Sequence, residues 1–136
     1  MMLEEKIYTE LVKAYNNAYA PYSKFHVGAV VVLKNGQMIS GSNVENASYG
    51  LCNCAERSAL FAAYSQGFRK EDIEMLAVIG NTKMPISPCG ACRQVINELM
   101  DKDAVVVLTN LKKDIKTYKV KDLLPYSFEG EDITNE

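Results

Sequence analysis

The sequence predicts an α/β protein, a three-layer α/β/α domain around a mixed five-stranded sheet. Three observations carry that expectation. Segments of helical and extended character follow one another in the order α-β-β-α-β-α-β-β. The apolar runs 74–80 and 104–109 are separated by a single helical segment, the pattern of a βαβ crossover with parallel strands. An Asn35–Gly36 pair sits between two earlier runs and marks a hairpin, so antiparallel pairing must be present as well.

Each element has its own signal. Ile7, Leu11, Ala14, Tyr15 and Ala18 recur at helical spacing and predict an amphipathic helix over 3–18, closed by Pro21, which disfavours helix in the residue before it. The runs 25–33 and 37–45 flank Lys34, Asn35 and Gly36 and read as the hairpin, with Val27, Ala29, Val31 and Leu33 on one face. The stretch 54–67 is rich in alanine and ends at Gly67, a helix with a glycine cap. Residues 74–80 and 104–109 are buried strands, and 89–100 is a helix introduced by Pro88. Residues 115–120 place lysines outward, as an edge strand does, 121–125 form a short helical turn, and the tail beyond Pro125 reads as irregular.

Composition narrows the classes. We expect residues 1–136 to form one domain, because 136 residues with a 48% hydrophobic share can enclose one core. A net charge of −2 does not suit a polyanion binder, so nucleic acid is not an expected partner. No apolar run approaches the ~20 residues of a membrane span. The start, "MMLEEKIYTE", lacks the basic and apolar regions of a signal peptide, and a cytoplasmic location follows as the expectation.

In that compartment clustered cysteines point to metal or chemistry rather than to disulfides. Cys89 and Cys92 share a helix face at i, i+3, at a helix start where exposed N–H groups favour thiolate. Cys54 also stands at a helix start. Three thiolates can bind one zinc and leave the fourth tetrahedral position to water, the arrangement of a catalytic site. Glu56, two residues on, can lean over that site without ligating the metal and carry its proton. Arg57 can offset the excess negative charge by donating hydrogen bonds to the sulfurs. Other readings of these residues stay open: a redox pair at Cys89 and Cys92, or a closed structural zinc site with Cys52 as fourth ligand. Cys52 otherwise reads as a small buried apolar residue. His26, the single histidine, reads as an exposed or hydrogen-bonded strand residue rather than a ligand.

"CAE" (54–56) followed by "PCGACRQ" (88–94) resembles the zinc-dependent cytidine deaminases. Cysteine rather than histidine as the first ligand resembles the small homotetrameric members acting on the free nucleoside. "AYAPYSKFHVGA" (18–29), "GSNVENASYGLCNCAERSAL" (41–60) and "LLP" (123–125) extend the similarity over nearly the whole chain. The resemblance implies hydrolytic deamination of cytidine and 2′-deoxycytidine to the uridines with release of ammonia. It implies one Zn(2+) per subunit on Cys54, Cys89 and Cys92, with Glu56 as proton carrier. It further implies that Asn43 and Glu45 bind the ribose 3′-hydroxyl, Val44 contributing packing or backbone, and that Phe25 stacks on the pyrimidine. Asn43 and Glu45 lie two apart at a strand end, where both can project to one side, an amide and a carboxylate suited to a sugar hydroxyl. They can equally cap a loop, and Phe25 can equally be core. A homotetramer would complete each site from neighbouring subunits, with Phe128 and Tyr49 as candidates. Two rival functions are a blasticidin-type deaminase and a structural zinc module for protein interaction. The first resembles the chain in its three-Cys site, but Asn43, Glu45 and Phe25 favour a plain nucleoside; the second leaves Glu56 and the Asn43–Glu45 pair unexplained.

Overall fold

The computed structural model describes residues 3–134. Met1, Met2, Asn135 and Glu136, which belong to the expected 1–136 domain, lie outside the described residues. The elements are α1 (Glu5–Asn16), β1 (Val27–Leu33), β2 (Met38–Ser42), α2 (Ala55–Ser65), β3 (Ile73–Gly80), α3 (Gly90–Leu99), β4 (Val105–Asn110), β5 (Ile115–Lys119), α4 (Val120–Leu123) and α5 (Glu131–Thr134). Short helical turns cover Tyr49–Leu51 and Lys70–Asp72. The sheet order is β2-β1-β3-β4-β5, with β3 and β4 parallel and every other pair antiparallel. The mixed five-stranded sheet is therefore as expected, and β5 is an edge strand whose Lys116 and Lys119 face water.

Alternation along β1 separates two cores. Val27, Ala29, Val31 and Leu33 pack with Ala55, Ala59, Leu60 and Ala63 of α2 and Ile96 of α3. Val30 and Val32 pack on the other face with Ile7 and Leu11 of α1. All seven residues of β1 are buried, because the strand is central and both of its faces are covered by helix. The layers are thus α1, sheet, and α2 with α3.

Two glycines set how closely helices approach the sheet. A Cβ on Gly41 of β2 would lie 2.4 Å from the backbone nitrogen of Ala59 and 2.7 Å from the carbonyl oxygen of Ala55. A Cβ on Gly28 of β1 would lie 2.5 Å from the nitrogen of Tyr15. Glycine at these positions lets α2 and α1 rest directly on the strands.

Several boundaries differ from expectation for local reasons. The first strand begins at Val27 rather than at residue 25, because the Asn43 side chain accepts the Val27 N–H at 2.8 Å and receives the preceding loop. The second ends at Ser42 rather than 45, because Val44 leaves the ladder to bridge Tyr19 on one side and Asn53 on the other. Cys54 and Cys89, expected as first helical residues, are the N-caps of α2 and α3, with extended backbone. Gly67 closes α2 as expected: its φ is 95°, its N–H reaches Tyr64, and the N–H of Phe68 reaches Ala63. The tail is not wholly irregular, since Glu131–Thr134 forms one helical turn.

Candidate metal centre and active site

Two helix starts converge. α2 carries Cys54 at its N-cap, and α3 carries Cys89 at its N-cap and Cys92 in its first turn. Ala55, Ala59 and Ala63 are fully buried against the sheet face that also receives Ile96, so small side chains bring α2 close and the two N-termini side by side. The sulfurs of Cys54 and Cys89 are 3.8 Å apart, those of Cys89 and Cys92 3.3 Å. All three lie within 4.8 Å of one another, and no other His, Cys, Asp or Glu among the described residues joins the group.

This donor set fits zinc. Sulfurs bound at about 2.3 Å with tetrahedral angles stand about 3.8 Å apart, and three soft donors leave one position open. Electrostatics favour an anionic sulfur at Cys54. The Cys54 thiol is lowered to about 5, chiefly by the hydrogen bond from Cys92, with Arg57 and Cys89 adding to it against the effect of burial. Arg57 donates from Nη2 to the Cys54 sulfur at 3.3 Å. The hydrogen bond between Cys92 and Cys54 raises the Cys92 pKa in turn, with burial adding to it, because Cys92 cannot ionise readily beside an existing thiolate.

Glu56 is 4% exposed in the first turn of α2. Burial raises its pKa, and the Cys54 charge adds to that. A cavity of about 180 Å³ joins Glu56 to Cys54, Cys89, Asn43, Phe25 and Ser87. A larger cavity of about 540 Å³ lies between α3 and the C-terminal segment, but none of the cysteines lines it.

Residues 1–109 match the family model for the cytidine and deoxycytidylate deaminase zinc-binding region. The chain belongs to this family. It is 50% identical over 134 residues to a cytidine deaminase of Halalkalibacterium halodurans, covering 98% of this chain and 100% of that one. It is 48% identical to a cytidine deaminase of Sporosarcina psychrophila, over 96% of this chain and 94% of the relative. The crystal structure of cytidine deaminase from Burkholderia pseudomallei superposes with a TM-score of 0.89 at 50% identity, covering 93% of this chain and 100% of that chain. That from Mycobacterium tuberculosis gives a TM-score of 0.73 at 35% identity, over 88% and 92% of the two chains. The three-layer deaminase fold and the zinc cofactor expected of the chain are those of its family.

Around the three cysteines the remaining candidates fall into place unevenly. Asn43 and Glu45 both turn toward the segment 22–27, but they line two cavities rather than one. Asn43 accepts from Val27 N–H and donates to the Phe25 carbonyl at 2.9 Å. Glu45 accepts the N–H groups of Tyr22 and Ser23 at 3.1 Å, as well as the Ser23 hydroxyl. These bonds hold a loop in which Lys24 sits at a positive φ of 62°. They also deliver Phe25, 43% exposed and therefore not core, to the cavity with Glu56. Val44 is half exposed and engages through its backbone with Asn53. Tyr49 and Phe128 are both exposed.

Cys52 departs from its expected role as a buried apolar residue. It is half-buried, and its sulfur accepts the Asn46 N–H at 3.2 Å, because the turn at Tyr49–Leu51 points it away from the core. It does not join the metal group, so the closed four-cysteine site is not formed among the described residues. His26 behaves as expected, with Nδ1 3.2 Å from the Tyr15 carbonyl. Sequence reasoning did not single out Ile86 and Ser87, which line the cavity. Their signal was their position directly before Pro88 and Cys89.

Proposed function

We propose that this chain, as one domain over residues 1–136, hydrolyses cytidine and 2′-deoxycytidine to uridine and 2′-deoxyuridine, with ammonia as the other product. The observation that carries the proposal is the convergence of three thiols at two helix N-termini, two of which, Cys54 and Cys89, line one cavity with the buried Glu56. A structural zinc site has no use for that glutamate or for a cavity opening on the sulfurs.

Cys54, Cys89 and Cys92 would hold one Zn(2+) per subunit. When bound, zinc supplies a Lewis acid that lowers the pKa of a water in its open position. Glu56 does the proton work. It takes a proton from the attacking water and gives it to ring N3, which makes C4 more electrophilic. Once the water oxygen has bonded to C4, Glu56 carries the remaining proton from that oxygen to the amino group, and the C4–N bond breaks to leave the C4 carbonyl and ammonia. Its burial keeps bulk water from competing for those protons. Arg57, through its contact with Cys54, stabilises the anionic sulfurs. Phe25 offers its ring face to the pyrimidine. Asn43 and Glu45 bind the ribose 3′-hydroxyl with the bonding capacity left over from the loop they hold, and Val44 packs beside them.

The site calls for neighbours. A cavity of about 180 Å³ is small beside the ~300 Å³ at which ligand pockets begin. Tyr19, Tyr22, Phe25, Val44, Tyr49 and Leu51, on segments bridged through Val44, are each at least 43% exposed. Such an apolar face suits a subunit contact. The proposed assembly is the homotetramer that the family resemblance implies, with Phe128 and Tyr49 of neighbouring subunits closing each site. Its location is cytoplasmic, where thiols stay reduced. No helix among the described residues is long and apolar enough to cross a membrane.

The test is turnover of cytidine by purified protein, followed by ultraviolet absorbance and ammonia release. Glu56→Gln is expected to lower kcat by roughly 10²–10⁴-fold while zinc stays bound. Unchanged kcat in that variant would remove Glu56 from the mechanism.

A further inference from the structure

Arg93 stands in the first turn of α3, one residue after Cys92, and has no role in the scheme above. Its guanidinium uses all three nitrogens. Nε donates to the Pro88 carbonyl at 3.0 Å, Nη2 to the Ser87 hydroxyl at 2.7 Å, and Nη1 to the Leu123 carbonyl of α4 at 2.9 Å. No carboxylate forms an ion pair with it among the described residues. A permanent charge is thus directed at three neutral acceptors, two of them on the main chain.

The three acceptors share one consequence. Pro88 precedes Cys89 and has no N–H, so its carbonyl is the main-chain group by which it can be anchored. Ser87 forms part of the wall of the cavity that contains Glu56. Leu123 lies 30 residues on in sequence, is 4% exposed, and belongs to the core that supports α2 and α3. The fork therefore ties the segment leading into Cys89 to a buried point of the core behind it. A planar guanidinium holds three fixed directions at once, which an ammonium on a flexible stem does not.

We propose that Arg93 is a positioning residue of the deamination site, fixing both the backbone that delivers the Cys89 sulfur and the Ser87 wall of the cavity. The inference rests on the reading of Cys54, Cys89 and Cys92 as zinc ligands. Residues that orient metal ligands typically change metal affinity by about 10–100-fold when removed.

Wild type, Arg93→Lys and Ser87→Ala distinguish the possibilities. Three quantities are read: zinc affinity by competition with a chromogenic chelator, the melting temperature of the zinc-free protein, and KM and kcat for cytidine. Arg93→Lys keeps the charge and loses the fork. It is expected to bind zinc roughly 10–100-fold more weakly and to show a raised KM. Ser87→Ala, a small change at an exposed position, is expected to raise KM and leave zinc affinity near wild type. Zinc affinity and KM in Arg93→Lys equal to wild type would overturn the inference, and so would a lowered melting temperature as its sole effect. Failure of the wild type itself to bind zinc would instead sink the reading of the metal centre.

Discussion

At the scale of single residues, the four cysteines divide by geometry into three and one. Cys54, Cys89 and Cys92 converge, while Cys52 is held by the backbone of Asn46. Cys89→Ala is therefore expected to lose its zinc, and Cys52→Ala to retain one zinc per chain and turn over normally. Metal analysis of the two purified variants decides it, and loss of zinc from Cys52→Ala would contradict the assignment. This division was half legible in the sequence. The i, i+3 spacing of Cys89 and Cys92 is a local fact, and so is the placing of Cys54 before an alanine-rich helix. The direction of Cys52 depends on a turn at Tyr49–Leu51 that carries no periodic signal. The same limit hid the reach of Arg93 to Leu123 and, although the sequence leaves loop capping by Asn43 and Glu45 open, the fact that the loop they hold is 22–27. Those contacts exist only once distant parts of the chain have met.

At the scale of elements, the proposed chemistry would depend on how α2 sits on β2. Gly41→Ala would set a Cβ 2.4 Å from the backbone of Ala59, and backbone cannot yield without moving the helix. The helix that must move carries Cys54 and Glu56. Overpacking of this kind costs about 1–3 kcal/mol, measurable by denaturant unfolding. We expect kcat of the folded variant to fall as well. Gly28→Ala makes an equivalent clash with α1, 2.5 Å from the nitrogen of Tyr15, on the opposite face of the sheet. It is expected to lose similar stability and to keep kcat. Equal kcat in the two variants would show that the seat of α2 does not govern the site. The elements themselves were largely readable, since period-2 and helical patterns are set by burial on each face. Their ends were less so: Val27 and Ser42 bound their strands because of the Asn43 side chain and the Val44 bridges, which are tertiary contacts.

At the scale of the whole molecule, the C-terminal segment is tied back to α3. Lys102 at 2.7 Å, Asn97 at 2.9 Å and the Ser127 hydroxyl all donate to the Glu129 carboxylate. Gln94 donates to the Phe128 carbonyl at 3.1 Å, which leaves the Phe128 ring outward. The Lys102 contact, then Ser127 and Asn97, lower the Glu129 carboxyl from 4.5 to about 2. A depressed folded-state pKa means that the unfolded chain takes up the proton first as pH falls. The contribution is whole above the unfolded value and is lost between about 4.5 and about 2. Glu129→Gln should flatten that limb of the stability curve, read by thermal unfolding across the window; parallel curves for variant and parent would contradict it. Light scattering on the wild type is expected to return the mass of four chains, and a monomer would remove the proposed contribution of Phe128 and Tyr49.

The most direct test of the account is the zinc X-ray absorption spectrum of the protein purified without chelators. Three sulfur neighbours at about 2.3 Å and one lighter neighbour at about 2.0 Å are the predicted result. Four sulfurs, or a protein that carries no zinc, would contradict it.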